Sequence, residues 1–155
     1  MTNSKNSFLS RIQVILLPVD GSENSDRAAQ VAIDFAKMTS ARLVIMHVVN
    51  IGIIEQVSRN LGKTTDEVKQ KYRKEAQSLL EKHSLMSKNA GVNASTSLEF
   101  GLPSEKILQL ASTSKADIIV MGAIGASQQT RIEVNIGSST ERVIRRAPCS
   151  VFVVR

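Results

Sequence analysis

Short apolar runs alternate with amphipathic helical segments along the whole chain, and this alternation constrains the fold more than any other feature. Three runs are predominantly apolar and rich in β-branched residues, as strands buried on both faces are, namely 12–19, 42–49 and 117–121. Two further strands are predicted at 92–100, a more polar run expected near a sheet edge, and at 149–154. Helical spacing covers 22–40, a long segment from Val68 to Gly91, 102–114 and 138–147, whereas 50–63 is a variable segment without an assigned element. The alternation predicts a single doubly wound α/β domain whose parallel strands are joined by right-handed crossovers, with helices on both faces of the sheet.

The length of 155 residues suits one domain, and we divide it into a flexible leader at 1–11 and the domain itself at 12–155. The leader is polar and lacks the apolar core of a secretory signal. No run approaches the ~20 apolar residues of a membrane span. We therefore expect a cytoplasmic protein without membrane contact.

The net charge of +6 permits an acidic partner, but its distribution argues against nucleic acid. Lysines and arginines between Arg59 and Lys88 are interleaved with acidic residues, which is typical of a solvated helix face. Aromatic residues make up only 3 % of the chain and Trp is absent, so base-stacking surfaces are scarce.

Histidine and cysteine give no sign of a metal or catalytic centre. The single cysteine, Cys149, excludes an intrachain disulfide and is expected to be a small residue entering a strand. His47 lies within an apolar strand and is predicted to be a satisfied core residue, while His83 is predicted to be a partly buried packing residue. Two isolated histidines and one cysteine support neither a zinc site nor a nucleophile–base pair, and no water-activating base is apparent for rapid hydrolysis.

The most informative segment is the connection "MGAIGASQQTRIEVNIGSST", which follows the apolar run "DIIV". Fourteen residues separate Gly122 from Gly137, well beyond the usual two to six of a strand-to-helix turn. Gly122 and Gly125 permit positive φ and close backbone approach, and Ser138 and Ser139 would open a helix with free N–H groups. If the strands that end in "PVDGS" and "MG" are neighbours, both tips meet in one crevice, and the connection can wrap a phosphate chain.

Purely structural interpretations of the same residues remain open. Ser138 and Glu141 form an S-x-x-E capping box that would start a helix without any ligand. Asp20 precedes a helix and can act as its cap. Neither G-x-x-x-x-G-K-[ST] nor G-x-G-x-x-G occurs, so the common nucleotide motifs assign no lysine or magnesium ligand.

Four stretches together resemble the universal stress protein family over nearly the whole chain, namely "ILLPVDGSENS", "LVIMHVV", "ADIIVMGAIG" and "GSSTERVIRRAPCSVFVV". The resemblance implies a five-stranded parallel sheet of order 3-2-1-4-5 and a homodimer formed through the last strand. In one branch of the family it also implies ATP binding through a G-x-x-G pair followed by G-[ST]. Gly122 and Gly125 match the first pair here, and Gly137 and Ser138 match the second.

The resemblance also implies a role for each candidate site residue. Asp20 and the backbone of Val48 would hold the adenine end, and Pro18, Val19 and the strand residue Met121 would line the crevice. The ribose and phosphates would be held by Gly122, Gly125, Gly137, Ser138 and Ser139. We add Arg131, which is the only lysine or arginine in the connection and can neutralise phosphate or simply be exposed.

The sequence thus predicts a cytoplasmic adenine-nucleotide protein, with ATP as the first choice and magnesium as a possible companion. It would act as a stress-response switch with at most slow hydrolysis. The spacer 126–136 has eleven residues where the family usually has about nine, which leaves open a non-binding dimeric scaffold with a vestigial glycine loop. An adenylating enzyme is disfavoured because such enzymes resemble S-G-G-x-D-S where this chain has "PVDGSENS".

Overall fold

The computed structural model describes residues 7–125 and 136–155. Its strands are β1 (Val14–Pro18), β2 (Arg42–Asn50), β3 (Ala94–Gly101), β4 (Ile118–Gly122) and β5 (Ser150–Val154). Its α-helices are α1 (Glu23–Thr39), α2 (Ile51–Leu61), α3 (Thr65–Asn89), α4 (Pro103–Thr113) and α5 (Ser138–Arg146). A short 3-10 helix at Leu9–Arg11 precedes β1.

The five strands form one parallel sheet of order β3-β2-β1-β4-β5. β1 lies at the centre, and its pairing with β2 runs from Val14 opposite Arg42 to Pro18 opposite Met46. The predicted fold class and strand order are confirmed. β3 lies at an edge, as its more polar sequence indicated.

Alternate residues of the central strands point into two separate cores, one on each face of the sheet. Ile15 and Leu17 of β1 are fully buried with the small residues of α1 and with Leu80 of α3. Leu16 faces the other way, where Ile107 of α4 and Val143 of α5 cover the sheet. Because both faces are covered, the central strands are continuously apolar.

Helix α2 occupies most of the segment 50–63, for which the sequence predicted no element. The Asn50 side chain caps it by accepting a hydrogen bond from the Gly52 N–H at 2.9 Å, and Gly62 ends it in a left-handed conformation. Ile54 is its one buried residue.

The described residues begin inside the predicted leader, and the boundary between residues 11 and 12 remains a prediction. Ile12, the first residue assigned to the domain, is buried. Residues 1–6 and 126–135, and with them Arg131, lie outside the described residues. No helix of the described chain is long and apolar enough to cross a membrane.

Candidate functional site

The tip of β1 is held in place by hydrogen bonds from β2 and α1. The Val19 N–H donates to the Met46 carbonyl at 2.8 Å, and the Val19 carbonyl lies 2.6 Å from Nδ1 of His47. Since a carbonyl can only accept, this contact places the proton on Nδ1. Asp20 follows directly, and its Oδ1 accepts a hydrogen bond from the Ser22 N–H at 3.0 Å.

The tip of β4 is joined to the start of α5, so the two ends of the long connection meet. The Gly137 N–H donates to the Ala123 carbonyl at 2.7 Å, and Thr140 Oγ1 donates to the Gly122 carbonyl at 2.9 Å. Helix geometry leaves the N–H groups of Ser138, Ser139 and Thr140 without an intrahelical acceptor. These three donors therefore sit beside the carboxyl end of β4.

The tips of β1 and β4 approach each other closely. A Cβ built on Gly125 would lie 2.8 Å from Asp20 Oδ2, so any side chain larger than hydrogen would push against the carboxylate. A Cβ on Gly122 would lie 2.9 Å from the backbone carbon of Asn24 in α1. Close approach thus requires glycine at 122, where backbone is in the way, and at 125 a side chain would displace the Asp20 carboxylate. Neither glycine has the positive φ that the sequence analysis allowed, because among the described glycines it occurs only at 21, 62, 91 and 101.

A cleft of about 500 Å³ opens between these tips, at the carboxyl ends of the strands, where open α/β sheets hold their ligands. Ten of the eleven predicted site residues line it, namely Pro18, Val19, Asp20, Val48, Met121, Gly122, Gly125, Gly137, Ser138 and Ser139. The eleventh, Arg131, lies outside the described residues. The structure brings the candidate residues together, and what they bind remains a prediction.

The cleft is chemically different at its two ends. At the α3 end the wall is formed by Tyr72, Ala76 and Leu79, with the carboxylate of Glu75 beside them. Toward α5 the lining includes the backbone N–H groups and hydroxyls of Ser138, Ser139 and Thr140, and the carboxylate of Asp20 also lines the cleft. No lysine or arginine of the described residues lines it. These residues can therefore bind an anion only through hydrogen-bond donors that carry no formal charge.

Two capping interpretations from the sequence are wrong. Gly137, not Ser138, is the N-cap of α5, and its cap has no side-chain hydrogen bond. Glu141 instead forms an ion pair with Arg145 at 3.0 Å. Asp20 does not cap α1 either, because that position belongs to Ser22, whose side chain accepts from the Ser25 N–H.

The structure meets only some of the expectations for the two histidines and the cysteine. His47 is satisfied, as predicted, but it is only half-buried and lines the cleft. His83 is more deeply buried than expected, with 1 % of its surface exposed. Cys149 is a free, half-buried residue directly before β5. Burial, together with the nearby Asp117 carboxylate, raises the pKa of its thiol, which keeps it protonated and unreactive near neutral pH.

Sequence reasoning missed several residues of the cleft wall. His47 could have been identified from the sequence as a cleft residue, because it stands next to Val48 near the carboxyl end of a predicted strand. Thr140 directly follows the two predicted serines. The sequence does not indicate that Tyr72 and Glu75 reach the cleft, because only the packing of α3 against β2 and β3 brings them there.

A model of the Universal stress protein family matches residues 11–155. The chain belongs to the universal stress protein family. A universal stress protein of Methanocaldococcus jannaschii is 35 % identical to it over 145 residues, which are 91 % of this chain and 81 % of that protein.

Solved structures share the universal stress protein fold. One, of a hypothetical protein studied for structure-based assignment of its biochemical function, has a TM-score of 0.81 and 28 % identity, covering 92 % of this chain and 95 % of that one. A universal stress protein in complex with cAMP has a TM-score of 0.66 and 23 % identity, covering 93 % and 97 %. Another, from Archaeoglobus fulgidus in complex with dAMP, has a TM-score of 0.67 and 20 % identity, covering 94 % and 99 %. At these last two identities the likeness to this chain is one of fold.

Proposed function

We propose that this universal stress protein binds an adenine nucleotide, ATP foremost, in the cleft between β1 and β4. The observation that carries the proposal is that the tips of β1 and β4, which meet at Asp20 and Gly125, share one cleft with the open N-terminus of α5. Several N–H donors converge there at the positive end of a helix dipole, an arrangement that suits a phosphate chain.

The polarity of the cleft gives the nucleotide one direction. The carboxylate of Glu75 repels phosphate, while the apolar side chains of Tyr72 and Leu79 suit a base. The N–H groups of Ser138 and Ser139 favour negative charge. In our proposal the base lies toward α3 and the phosphates lie toward α5.

Two further considerations support an adenine nucleotide. Universal stress proteins of the same fold have been solved with cAMP and with dAMP. The glycines and serine that this chain shares with the ATP-binding branch of the family, including Gly122 and Gly137, all line the cleft. Magnesium or Arg131 would supply the positive charge that the described wall lacks.

We propose a regulatory role in the cytoplasm, in which nucleotide occupancy alters the partner contacts of the protein. Hydrolysis would be slow at most. The described residues contain no group of three or more histidine, cysteine or acidic side chains that could hold a metal ion. Any magnesium would then arrive bound to the phosphates, a common arrangement for this ion.

Thermal unfolding tests the proposal directly. ATP at one hundred times its Kd stabilises a protein by about 2.7 kcal/mol, which for this size raises the Tm by about 5–10 °C. We expect that shift with ATP and magnesium, and a smaller one with GTP. If ATP gives neither a Tm shift nor heat on titration, the proposal is wrong and the non-binding scaffold is favoured.

A variant pair at Ser138 separates backbone recognition from hydroxyl recognition. Ser138 is the first residue of α5, where proline is tolerated, and Gly137 before it is extended at ψ 153°, as a residue preceding proline must be. Ser138→Pro removes one N–H donor from the cleft, whereas the control Ser138→Ala keeps it. A hydrogen bond to a charged group contributes about 1.5–3 kcal/mol, so Ser138→Pro should weaken ATP binding about tenfold or more relative to Ser138→Ala. Equal affinity of the two variants would contradict phosphate binding at this helix end.

We also propose that the protein forms a homodimer through β5. β5 is an edge strand with one side unpaired within the described residues, and its Phe152 is 41 % exposed. An apolar, valine-rich edge invites pairing with another strand.

A further inference from the structure

His83 is a buried ionisable group at the contact between α1 and α3. Its Nε2 lies 3.3 Å from Asp26 Oδ1 of α1, within ion-pair distance but without hydrogen-bond geometry. Its Nδ1 has no hydrogen-bond partner among the described residues. A protonated imidazole carries a donor on each nitrogen, so charging His83 would leave its Nδ1–H buried without an acceptor, although Nε2 faces the Asp26 carboxylate.

The surroundings of His83 oppose its protonation. The charged groups that act on it are Asp26 on α1 and Lys82 on its own helix, α3. Lys82 Nζ lies 3.1 Å from both carboxylate oxygens of Asp26, so it already shares the negative charge that would stabilise an imidazolium. Burial lowers the pKa of His83 most, Asp26 opposes this and Lys82 adds to the lowering.

The same two helices each form part of the wall of the proposed nucleotide cleft. Ser25 lines the cleft and directly precedes Asp26 on α1. Leu79 lines it from α3, one helical turn before His83 and on the same face. Within the described residues, the polar contacts that join α1 to α3 are those of Asp26 with Lys82 and His83. A change in this contact therefore bears directly on the separation of these two parts of the wall.

We propose that His83 is a proton-operated latch, whose protonation separates α3 from α1 and widens the cleft so that proton and nucleotide oppose each other's binding. This regulation rests on the proposed function. A neutral His83 keeps these two parts of the wall together, and a bound nucleotide that touches both of them favours the same closed state. Linkage makes the effect reciprocal, since acid weakens nucleotide binding by the factor by which nucleotide weakens protonation.

The sign of the pH dependence follows from the direction of the pKa shift. The folded pKa lies below the ordinary value of about 6.5, so the unfolded chain takes up a proton first as the pH falls. The stability due to neutral His83 is complete above about pH 6.5 and is lost as the pH drops from there toward the folded pKa. The latch accordingly operates in mildly acidic conditions.

Nuclear magnetic resonance can follow the latch in the wild-type protein, because the chain has only two histidines, His47 and His83. The ring proton signals give both pKa values without and with saturating ATP, and His83→Gln assigns the signals. We expect the pKa of His83 to be below 6.5 without ATP and lower still with it. An unchanged pKa of His83 on ATP addition would overturn the latch.

Binding measurements give an independent test. We expect ATP affinity to fall more steeply below pH 6.5 in the wild type than in His83→Gln, over the range in which both proteins stay folded, while titration of the ATP phosphate itself is common to both. An equal fall in both proteins overturns the latch but leaves the proposed function intact. Absence of ATP binding at pH 7.5 overturns the proposed function and the coupling together.

The ligand-free protein provides the third measurement. Amide hydrogen exchange in α3, corrected for its intrinsic pH dependence, should accelerate on acidification in the wild type and not in His83→Gln. Exchange that is insensitive to pH in the wild type would contradict helix separation whether or not ATP binds.

Discussion

Gly122 has no room for a side chain at the point where β4 meets α1. A Cβ there would lie 2.9 Å from the backbone carbon and Cβ of Asn24 and 3.1 Å from the Ser25 nitrogen, so backbone would have to move. Overpacking of this kind costs about 1–3 kcal/mol. We expect Gly122→Ala to lower the free energy of unfolding in urea by that amount.

The matched control is Gly52→Ala in α2. A Cβ at Gly52 would meet only the end of the Asn50 side chain, at 3.3 Å, and alanine is favoured over glycine within helices. This variant should lose less stability than Gly122→Ala, because the Asn50 side chain can shift whereas the backbone of α1 cannot. A Gly122→Ala protein with unchanged stability would show that β4 and α1 can separate freely at this point.

The sequence predicted the polar residues of the site better than the apolar ones. Gly125 and Gly137 were predictable because they bound an unusually long connection and match the glycine motif of the family, and Asp20 because it follows an apolar strand and the resemblance assigns it a role. Thr140 was missed because its main contact, with the Gly122 carbonyl, crosses from one end of the connection to the other. Tyr72 falls within the predicted long helix, and nothing in its spacing shows that the face it belongs to extends into a cleft.

At the scale of elements, the sequence predicted the long helices α1 and α3 but not the short helix α2. α1 and α3 bury several residues each, so their periodicity is plain. The apolar residues of α2 do recur at helical spacing, but the helix is short, contains Gly52 and ends at Gly62, and glycines of this kind also mark loops. Its existence depends on its cap residues and on packing against α3.

The Asn50 cap of α2 can be tested by truncation. Loss of an asparagine N-cap costs about 0.5–2 kcal/mol, so Asn50→Ala should lower the free energy of unfolding by about 1 kcal/mol. Asn60→Ala, the same change at an exposed position late in α2, should have little effect. Urea unfolding of both variants makes the comparison, and equal stabilities would mean that packing alone sustains the helix.

At the scale of the molecule, alternation predicted the parallel sheet but not the order of its strands. Order 3-2-1-4-5 came from the resemblance, because many orders satisfy the same sequence of elements. The two edges of the finished sheet differ. β3 exposes serine and threonine, whereas Phe152 of β5 is largely exposed while its ring also packs edge-on against Phe35, with ring centroids 5.2 Å apart. A polar edge discourages pairing and an apolar one favours it, which is why we place the dimer contact at β5.

A proline on the outer side of β5 should separate the proposed dimer without unfolding the subunit. The Val154 carbonyl accepts a hydrogen bond from the Ala123 N–H at 2.7 Å, so the backbone groups of Val154 face β4 and those of Val153 face outward. Val153→Pro removes an outward N–H, which an edge strand tolerates, while the control Val153→Thr keeps it. Light scattering after gel filtration should give a dimer for the wild type and Val153→Thr, and a folded monomer for Val153→Pro. A monomeric wild type would contradict the proposed dimer. A Val153→Pro protein that still dimerises would place the interface elsewhere, because strand pairing across β5 requires the donor that proline lacks.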